Sequence, residues 1–475
     1  MARACQSFSL NYDDGLHLWS HLRYCYILDQ GLSLKVMKTV LVTPSALEKS
    51  IEHTKWQQSL GLTYIAACIR DISDVSIIDC EIEQDPVKTL LKEIGIDESL
   101  VVAFSVNTYT YPEALKLAEI VKNHNQDIHI NFGGYHVTPL AELVLNKRPY
   151  VDSVIRGDGE IPFRQLLIAL IDGRDLSGVG SLTYRKNGEI ISNPKAPLPD
   201  LDSLPYPARE LLPLEMLFEN FKKSILYKSG KVSRMIFVNV TRGCPGRCNY
   251  CSIFNKTWRC RNPIKIVDEI EMLQRIYNAD SFYLIGDNIN YDSLWLVSLC
   301  NEIIDRKLNI SYILTNPSVD KMSVDLIDKL DKSGCVGTSY SFESASQKML
   351  NALDRKSNIN NFGKIIDYTK RRGIEINACF VLGAPGENQR SINSTLDFIN
   401  KYDFNRIAAS ILAPLPGSKL FNSMVAHFHD IRNNDIISLD YMKKLYVDNY
   451  CEIDYDELRE VEINIEKSNT AFYVY

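Results

Sequence analysis

The sequence lacks the features that would place it in a membrane, in a secretory pathway or on nucleic acid. Its 475 residues contain no apolar run close to the roughly 20 residues needed to cross a bilayer. The first residues do not show the charged, apolar and cleavage regions of a secretory signal. The formal net charge is −6, and there is no long run of like charge. These absences predict a cytoplasmic protein that binds neither nucleic acid nor membrane.

Familiar zinc and dinucleotide motifs are absent as well. Structural zinc sites combine two C-x2-C pairs, or one such pair with two histidines at finger spacing, and neither combination occurs. Dinucleotide-binding domains carry G-x-G-x-x-G after their first strand, whereas TPSALEKS (43–50) contains no glycine. We find no internal repeat and no low-complexity tract. The sequence therefore disfavours a structural zinc site, a nicotinamide site and a solenoid.

What is present is an ordinary globular composition, with 45% hydrophobic and 24% charged residues. Residues 37–173 alternate strand-like runs with helical periods, which predicts a doubly wound, Rossmann-like α/β domain. Its candidate strands are 38–44, 74–80, 99–105, 127–134 and 152–157. Prolines interrupt the alternation in residues 174–230, which predicts an extended, partly structured linker.

The alternation resumes in residues 231–424 with six βα units. This pattern predicts a partial (βα)6 TIM-like barrel whose functional groups lie at the C-terminal ends of its strands. The candidate strands are 234–241, 281–287, 310–316, 336–343, 374–383 and 406–414. Residues 1–36 fit neither domain and are predicted to be an N-terminal extension that folding does not require. Residues 425–475 are a C-terminal extension whose tyrosines either line a pocket or, as we favour, pack an amphipathic helix: Tyr441, Tyr446 and Tyr450.

Three of the twelve cysteines fall within eight residues. Cys244, Cys248 and Cys251 form C-x3-C-x2-C in TRGCPGRCNYCS (241–252), directly after the first barrel strand. A [4Fe–4S] cluster uses four cysteines when fully ligated, so three on one loop leave one iron open to a small molecule. Cys260 lies nine residues further on, matches no iron–sulfur spacing and is predicted to be structural.

The segment RGCPGRCNYCS resembles the signature of radical S-adenosylmethionine (SAM) enzymes, and the resemblance continues along the barrel. Four strand-end segments are similar to those of the family: GDN (286–288), SFESAS (341–346), FVLGAPGE (380–387), which packs against adenine in the family, and APLPGSKLF (413–421). Where the family commonly has two aspartates, this chain has Asp287 followed by asparagine. The resemblance implies a cluster on the three cysteines and SAM bound by Tyr250, Gly286, Asp287, Glu343, Ser344, Arg355, Gly383 and Glu387. Independently of the resemblance, Asp287 and Glu343 end strands on the face where ligands bind, and the less favoured alternative is that they are solvated or helix-capping carboxylates.

The strand ends of the first domain carry SVNTYTYPEA (105–114), FGGYHVTP (132–139) and RGDGE (156–160). As an ordered set these segments resemble the cobalamin-binding domain that precedes many radical SAM barrels, and LPDLDSLPYPARELL (198–212) resembles its linker. The resemblance implies cobalamin bound by Ser105, Asn107, Thr108, Gly133, Gly134, His136, Thr138, Gly157 and Glu160. The D-x-H-x-x-G motif of proteins that ligate cobalt through histidine is missing, so cobalt ligation by His136 is disfavoured.

Together the two resemblances imply a radical SAM enzyme. The favoured activity is methyl transfer to an unactivated carbon, or to phosphorus, of a natural-product or pigment precursor, through a 5′-deoxyadenosyl radical and methylcobalamin. They also imply a small-molecule substrate and an electron donor such as flavodoxin or ferredoxin. Two alternatives stay open: a radical rearrangement, cyclisation or ring contraction without methyl transfer, and, less favoured, a non-catalytic cobalamin-binding regulator. The sequence identifies no catalytic residue.

Overall fold

The computed structural model describes residues 37–46, 55–95, 100–428, 431, 434–436 and 438–468. The predicted N-terminal extension lies outside the described residues, and so does the expectation that folding does not require it. Within the described part of the chain, no helix is both long enough and apolar enough to span a membrane.

The first half of the chain forms a seven-stranded sheet in the order β2-β1-β3-β4-β5-β6-β7. Its five parallel strands confirm the predicted set: β1 Lys38–Thr43, β2 Asp74–Asp79, β3 Leu100–Ser105, β4 His129–Gly133 and β5 Ser153–Ile155. The helices between and after them are Leu60–Ile69, Pro86–Ile94, Tyr111–His124, Ala141–Lys147 and Glu160–Ile171. Strand order reverses between β1 and β3, which is where doubly wound sheets bind their ligands.

This sheet continues beyond the predicted domain boundary at residue 173. Strands β6 Leu182–Lys186 and β7 Glu189–Ser192 form an antiparallel hairpin on the edge of β5. The turn residues Asn187 and Gly188 both have positive φ, as a two-residue hairpin turn requires. The hairpin was not predicted from the sequence because prolines follow it. Asn-Gly between two short strand-like runs is nevertheless a known hairpin signal. After it come 3-10 turns and the helices Leu214–Phe221 and Ile225–Lys228.

The second half forms another seven-stranded sheet, in the order β14-β13-β12-β11-β10-β8-β9. All six predicted strands are present and parallel: β8 Met235–Arg242, β10 Ser281–Gly286, β11 Ser311–Leu314, β12 Cys335–Glu343, β13 Glu375–Leu382 and β14 Arg406–Ile411. The short β9, Arg259–Cys260, pairs antiparallel with the end of β8. The outer helices are Pro263–Tyr277, Ser293–Asp305, Val324–Lys332, Gln347–Ala352, Phe362–Arg371, Gln389–Tyr402 and Lys419–His427. Because β14 and β9 end the sheet, the structure is the predicted partial barrel.

Two C-terminal helices, Leu439–Tyr450 and Tyr455–Ser468, pack against the barrel. The Glu462 carboxylate accepts a hydrogen bond from the Ile411 N–H of edge strand β14 at 2.9 Å. Tyr446 is fully buried, and the Tyr450 ring stacks on it with centroids 5.2 Å apart, whereas Tyr441 is exposed. Packing is therefore the correct interpretation for Tyr446 and Tyr450.

A residue just before the two C-terminal helices contacts the Rossmann-like domain. The carboxylate of Asp435, which is 2% exposed, accepts hydrogen bonds from Arg148 at 2.8 and 2.9 Å and from the Tyr111 hydroxyl at 2.6 Å. Burial and the neighbouring Asp435 raise the pKa of Tyr111, so its hydroxyl remains a donor. This contact holds the C-terminal extension on the Rossmann-like domain.

The linker is fixed between the two halves by a buried arginine. The Arg209 guanidinium, 1% exposed, pairs with Glu269 of the first barrel helix at 2.7 Å and donates to the Phe237 carbonyl at 2.7 Å. Arg261 pairs with the other oxygen of Glu269 at 2.5 Å. The preceding Ala208 N–H donates to the Thr63 carbonyl of helix Leu60–Ile69 at 3.0 Å. The linker thus contacts both domains at one point.

Candidate active site

A cavity of about 450 Å³ lies between the two sheets, lined by residues at the C-terminal ends of strands from both. Parallel α/β sheets place their ligands at these strand ends. The cavity brings together predicted residues of both cofactor sites: Ser105, Gly133, Gly134, Gly157, Glu160, Gly286 and Asp287. The two predicted sites therefore open into one space.

The wall of the cavity near β1 and β3 is apolar. It is formed by Leu41, Leu60, Leu62, Ile65, Ala103 and Phe163, and no histidine lies among the described residues that line the cavity. These residues carry no signal in the sequence, because each belongs to a hydrophobic strand or helix with no motif of its own. Phe254 and Tyr135 also line the cavity, and they form a tilted ring pair with centroids 5.1 Å apart. Tyr135 follows β4, and Phe254 follows the cysteine segment 241–252, which we call the cysteine loop.

The glycines at the cavity rim are required by the backbone of their own loops, independently of any ligand. Gly134 has a φ of 112°, and a Cβ there would overlap the Val106 carbonyl oxygen, so only glycine fits. At Gly157, the Phe254 ring lies 3.5 Å from the position that a Cβ would take. The Thr138 hydroxyl donates to the Gly134 carbonyl at 2.7 Å and accepts from the Gly157 N–H at 3.1 Å. Thr138 thus joins the two glycine loops from outside the cavity lining.

Other residues predicted to bind cobalamin also lie outside the cavity lining. The Asn107 side chain accepts from the Tyr109 and Thr110 N–H groups at 2.9 and 3.0 Å, which shapes the turn into helix Tyr111–His124. The Thr108 hydroxyl lies 3.2 Å from His136 Nδ1. Asn107, Thr108 and Thr138 remain predictions for cobalamin, with roles in loop geometry that do not depend on it.

His136 is buried, and both of its ring nitrogens have protein partners. Nε2 lies 3.3 Å from the Asp435 carbonyl oxygen, which can only accept, so Nε2 carries the proton and Nδ1 accepts from the Thr108 hydroxyl. Burial lowers the pKa of His136 to about 4, which keeps the ring neutral. Its ring also packs on Tyr111 with centroids 4.3 Å apart. A metal bond to His136 would require breaking one of these contacts.

We therefore expect cobalamin bound to this protein to be base-off, with no nitrogen ligand beneath cobalt. The apolar cavity wall offers no donor there, and the His136 nitrogens are already engaged. The measurement is the electron paramagnetic resonance spectrum of the cob(II)alamin form, which should show no nitrogen splitting of the cobalt lines. Triplet splitting that disappears in the His136→Ala variant would identify His136 as the ligand and contradict this expectation.

Four charged residues connect the two halves at the cavity. Glu160, after β5, pairs with Arg242 at the end of β8 at 2.6 Å. Asp158 pairs with Arg259 of β9 at 2.7 Å and lies 3.9 Å from Arg242. Burial lowers the pKa of Arg242, but its carboxylate neighbours raise it, and the net shift is upward, so Arg242 stays charged. Of these four residues, Glu160 alone was predicted from the sequence.

The cysteine loop is held in place from several sides. Arg242 precedes it directly, and the Cys244 N–H donates to the Asn255 carbonyl at 3.0 Å. The Cys244 sulfur accepts from the Gly246 N–H at 3.4 Å and from the Asn288 side chain at 3.7 Å. Burial raises the pKa of the Cys248 and Cys251 thiols, against the opposing effects of Arg355 on Cys248 and Lys256 on Cys251.

All three thiols are free and half-buried. In the described part of the chain, no three His, Cys, Asp or Glu side chains converge on the position of one metal ion. A cubane cluster does not require such convergence, because each thiolate binds a different iron atom. Cys260 instead lies in β9, where it pairs with Thr241 of β8.

Asp287 and Gly286 lie beside this loop at the end of β10. The Asp287 carboxylate accepts from the Gly243 N–H at 2.9 Å, next to Cys244. Burial raises the pKa of Asp287, and the hydrogen bond from Gly243 opposes that effect. Gly286 packs directly on the Thr241 side chain, which leaves no room for a Cβ. The first structural role of Asp287 is therefore to attach β10 to the cysteine loop.

Tyr250, Glu343 and Arg355 gather on the other side of the loop. Glu343 is buried, has an unusual φ of 64° for a residue other than glycine, and pairs with Arg355 at 3.2 Å. Arg355 also donates to the Ser341 carbonyl at 2.9 Å. Burial and Glu343 raise the pKa of Tyr250. Strained backbone of this kind is frequent at ligand sites, and here it aims the Glu343 carboxylate at the loop. The adjacent Ser344 is buried against Thr395, 3.4 Å away.

The last predicted SAM segment lies under the C-terminal helices. The Glu387 carboxylate accepts from the Gly383 and Ala384 N–H groups at 2.8 and 3.1 Å, and its other oxygen has no hydrogen-bond partner among the described residues. A Cβ at Gly383 would lie 3.3 Å from the Val447 side chain and 3.4 Å from the Leu458 side chain. That side of Gly383 is thus filled by protein, and a ring could approach this backbone only from another direction. Gly383 and Glu387 remain predictions as SAM-binding residues.

Comparisons with known proteins identify both halves. Residues 57–167 match the model of the B12 binding domain, and residues 238–399 match that of the radical SAM superfamily. An uncharacterized methyltransferase of Pyrococcus horikoshii is 27% identical over 93% of both chains. The anaerobic magnesium-protoporphyrin IX monomethyl ester cyclase of Rubrivivax gelatinosus is 26% identical over 76% of this chain and 65% of its own. The radical SAM methyltransferase TsrM from Kitasatospora setae, whose structure contains cobalamin and a [4Fe–4S] cluster, has the same fold. The TM-score is 0.68 at 16% sequence identity, and the match covers 82% of this chain and 78% of TsrM.

Proposed function

Because this chain belongs to the radical SAM enzymes that carry a B12 binding domain, we propose that it is a cobalamin-dependent methyltransferase acting on a small molecule rather than a nucleic acid. The observation that carries the proposal is the single cavity into which the strand ends of both domains open. The names of the Pyrococcus relative and of TsrM support methyl transfer. A cytoplasmic location is part of the proposal, since free cysteines persist in a reducing compartment.

The residues present fit the three implied groups. Cys244, Cys248 and Cys251 would supply three thiolate ligands and leave one iron for SAM. The buried Glu387 carboxylate, one oxygen of which has no hydrogen bond among the described residues, would be a candidate acceptor for a SAM donor group. The apolar wall around Leu41 and Leu62 suits one face of a flat macrocycle. When bound, the cluster and SAM supply a carbon-centred radical, and cobalamin supplies a transferable methyl group.

The protein's own contribution is position and exclusion of water. Arg242 and Asp287 hold the cysteine loop against the end of β10 and the first sheet, which fixes the separation of the two halves. Glu343 and Arg355 neutralise each other beside the loop. The apolar wall and the Phe254–Tyr135 pair limit access of water to the cavity, which protects a reactive radical from side reactions.

Isotope transfer and product counting test this function. Anaerobically reconstituted protein is incubated with reductant, methyl-deuterated SAM and a panel of candidate small molecules. We expect S-adenosylhomocysteine and 5′-deoxyadenosine in about equal amounts, with the deuterated methyl group in the product. The cyclase relationship makes a radical cyclisation the second candidate, and it would give 5′-deoxyadenosine without S-adenosylhomocysteine. A protein that cleaves no SAM under any of these conditions would contradict both.

A further inference from the structure

Asp435, in the C-terminal extension, contacts three separate elements of the Rossmann-like domain. Its carboxylate, 2% exposed, accepts hydrogen bonds from Arg148 at 2.8 and 2.9 Å and from the Tyr111 hydroxyl at 2.6 Å. Its backbone carbonyl accepts from His136 Nε2, 3.3 Å away. Tyr111 begins helix Tyr111–His124, His136 follows β4, and Arg148 directly follows helix Ala141–Lys147. One buried residue of the extension therefore connects these three elements.

One of the partners, His136, belongs to the segment 133–138, which we call loop 133–138 and which borders the main cavity. Three residues of this loop line the cavity: Gly133, Gly134 and Tyr135. The next residue, His136, is 5% exposed and contacts Asp435. Asp435 is itself not among the described residues that line the cavity. A displacement of Asp435 would therefore reach the cavity wall through the backbone of this loop.

The Asp435 carboxylate is the group on which these contacts depend. It compensates the charge of Arg148, whose pKa it raises through their hydrogen bonds. Without this carboxylate, Tyr111 would lose the acceptor of its buried hydroxyl, and the Asp435 carbonyl would no longer be held beside His136. Buried polar groups that lose their partners cost free energy, so the region would rearrange to find new ones. The arrangement of loop 133–138 thus depends on a residue 299 positions after His136.

We propose that Asp435 is a positioning residue for cobalamin, and that the C-terminal extension thereby completes the cobalamin site of the Rossmann-like domain. The proposal rests on the proposed function for the identity of the cofactor. Gly133 and Gly134 are predicted cobalamin-binding residues, and Asp435 holds the loop that contains them. A loop that spends part of its time in another arrangement lowers the apparent affinity in proportion to the competent fraction. Asp435 acts on cobalamin through this loop and need not touch the cofactor.

Equilibrium dialysis of hydroxocobalamin against the full chain, followed by visible absorbance, tests this role. Asp435→Asn keeps the size of the side chain but removes its charge, and Arg148→Met removes the cation that pairs with it. We expect each variant to bind hydroxocobalamin about tenfold more weakly, which corresponds to a competent fraction of about one in ten. The double variant should also bind about tenfold more weakly, because both substitutions break the same pair, whereas independent effects would multiply to about a hundredfold.

Three further measurements separate positioning from general damage. Glu460→Gln makes the same charge change at an exposed carboxylate of helix Tyr455–Ser468 and should leave hydroxocobalamin affinity unchanged. Iron content after anaerobic reconstitution should be unchanged in every variant, because the described partners of Asp435 lie outside the cysteine loop. Tyr111→Phe removes only the hydroxyl that donates to Asp435, so it carries the test if Asp435→Asn does not fold. We expect Tyr111→Phe to weaken binding about threefold, as the loss of one hydrogen bond would.

Unchanged hydroxocobalamin affinity in folded Asp435→Asn, or in Tyr111→Phe where the former does not fold, would overturn the proposal. Equal losses of hydroxocobalamin and iron would also overturn it, because they would indicate unfolding rather than a displaced loop. A hundredfold loss in the double variant would show that Asp435 and Arg148 do not act through their pair. Failure of the unsubstituted protein to bind hydroxocobalamin would instead contradict the proposed function.

Discussion

Substitution of Cys244, Cys248 or Cys251 by alanine is expected to abolish the visible absorbance of the cluster after anaerobic reconstitution and to stop SAM cleavage. Each thiolate binds one iron, and the loop has no fourth cysteine to replace a lost ligand. We expect 5′-deoxyadenosine formation to fall on the order of 10³-fold or more, as when an essential catalytic group is removed. Iron content, absorbance and chromatographic detection of 5′-deoxyadenosine measure the three effects.

Cys260→Ala is the matched control for this experiment. Cys260 lies in β9, and its place in the structure depends on backbone pairing with Thr241 rather than on its thiol. The variant should keep both the cluster and SAM cleavage. A Cys260→Ala protein without cluster absorbance would show that the three-cysteine assignment is wrong.

The second large effect is expected from Arg209→Met, which should lower the free energy of unfolding by about 3 kcal/mol, because it removes one of the two cations that pair with buried Glu269 and also the buried hydrogen bond to the Phe237 carbonyl. Glu269 is completely buried, and among the described residues Arg261 remains as its one ion-pair partner after the substitution. The retained Arg261 places the effect near the lower end of the range for such losses. Chemical denaturation followed by circular dichroism measures the change.

Arg70→Met supplies the comparison, because Arg70 pairs with Glu210 of the same linker at 2.6 Å but at an exposed position. Exposed ion pairs contribute about 1 kcal/mol or less, so this variant should unfold close to the unsubstituted protein. Equal destabilisation of the two variants would mean that burial does not increase the contribution of the Arg209–Glu269 pair to the free energy of unfolding.

The sequence predicted the parallel strands of both sheets because each is a short hydrophobic run separated from the next by a helical period. It predicted the cysteine loop because all three ligands lie in one short segment. The ion pairs at the cavity had no such local signal: Glu160 and Arg242 are 82 residues apart, and Arg209 and Glu269 are 60 apart. Contacts of this kind depend on how the domains dock, which hydrophobic periodicity does not encode. For the same reason, the C-terminal helices over Gly383 could not be foreseen from the glycine segment alone.

The contact between Asp435 and the Rossmann-like domain has a consequence for protein engineering. A chimera could combine the B12 binding domain of one relative with the barrel and C-terminal extension of another. Such a chimera would separate the Asp435 carboxylate from Arg148 and Tyr111. The buried Asp435 would then face a foreign surface without its cation, and the adjacent His136 would lose the carbonyl that fixes its tautomer. Recombination boundaries in this molecule must therefore transfer residues 434–436 together with the Rossmann-like domain, although Asp435 lies 287 positions after Arg148 and 299 after His136.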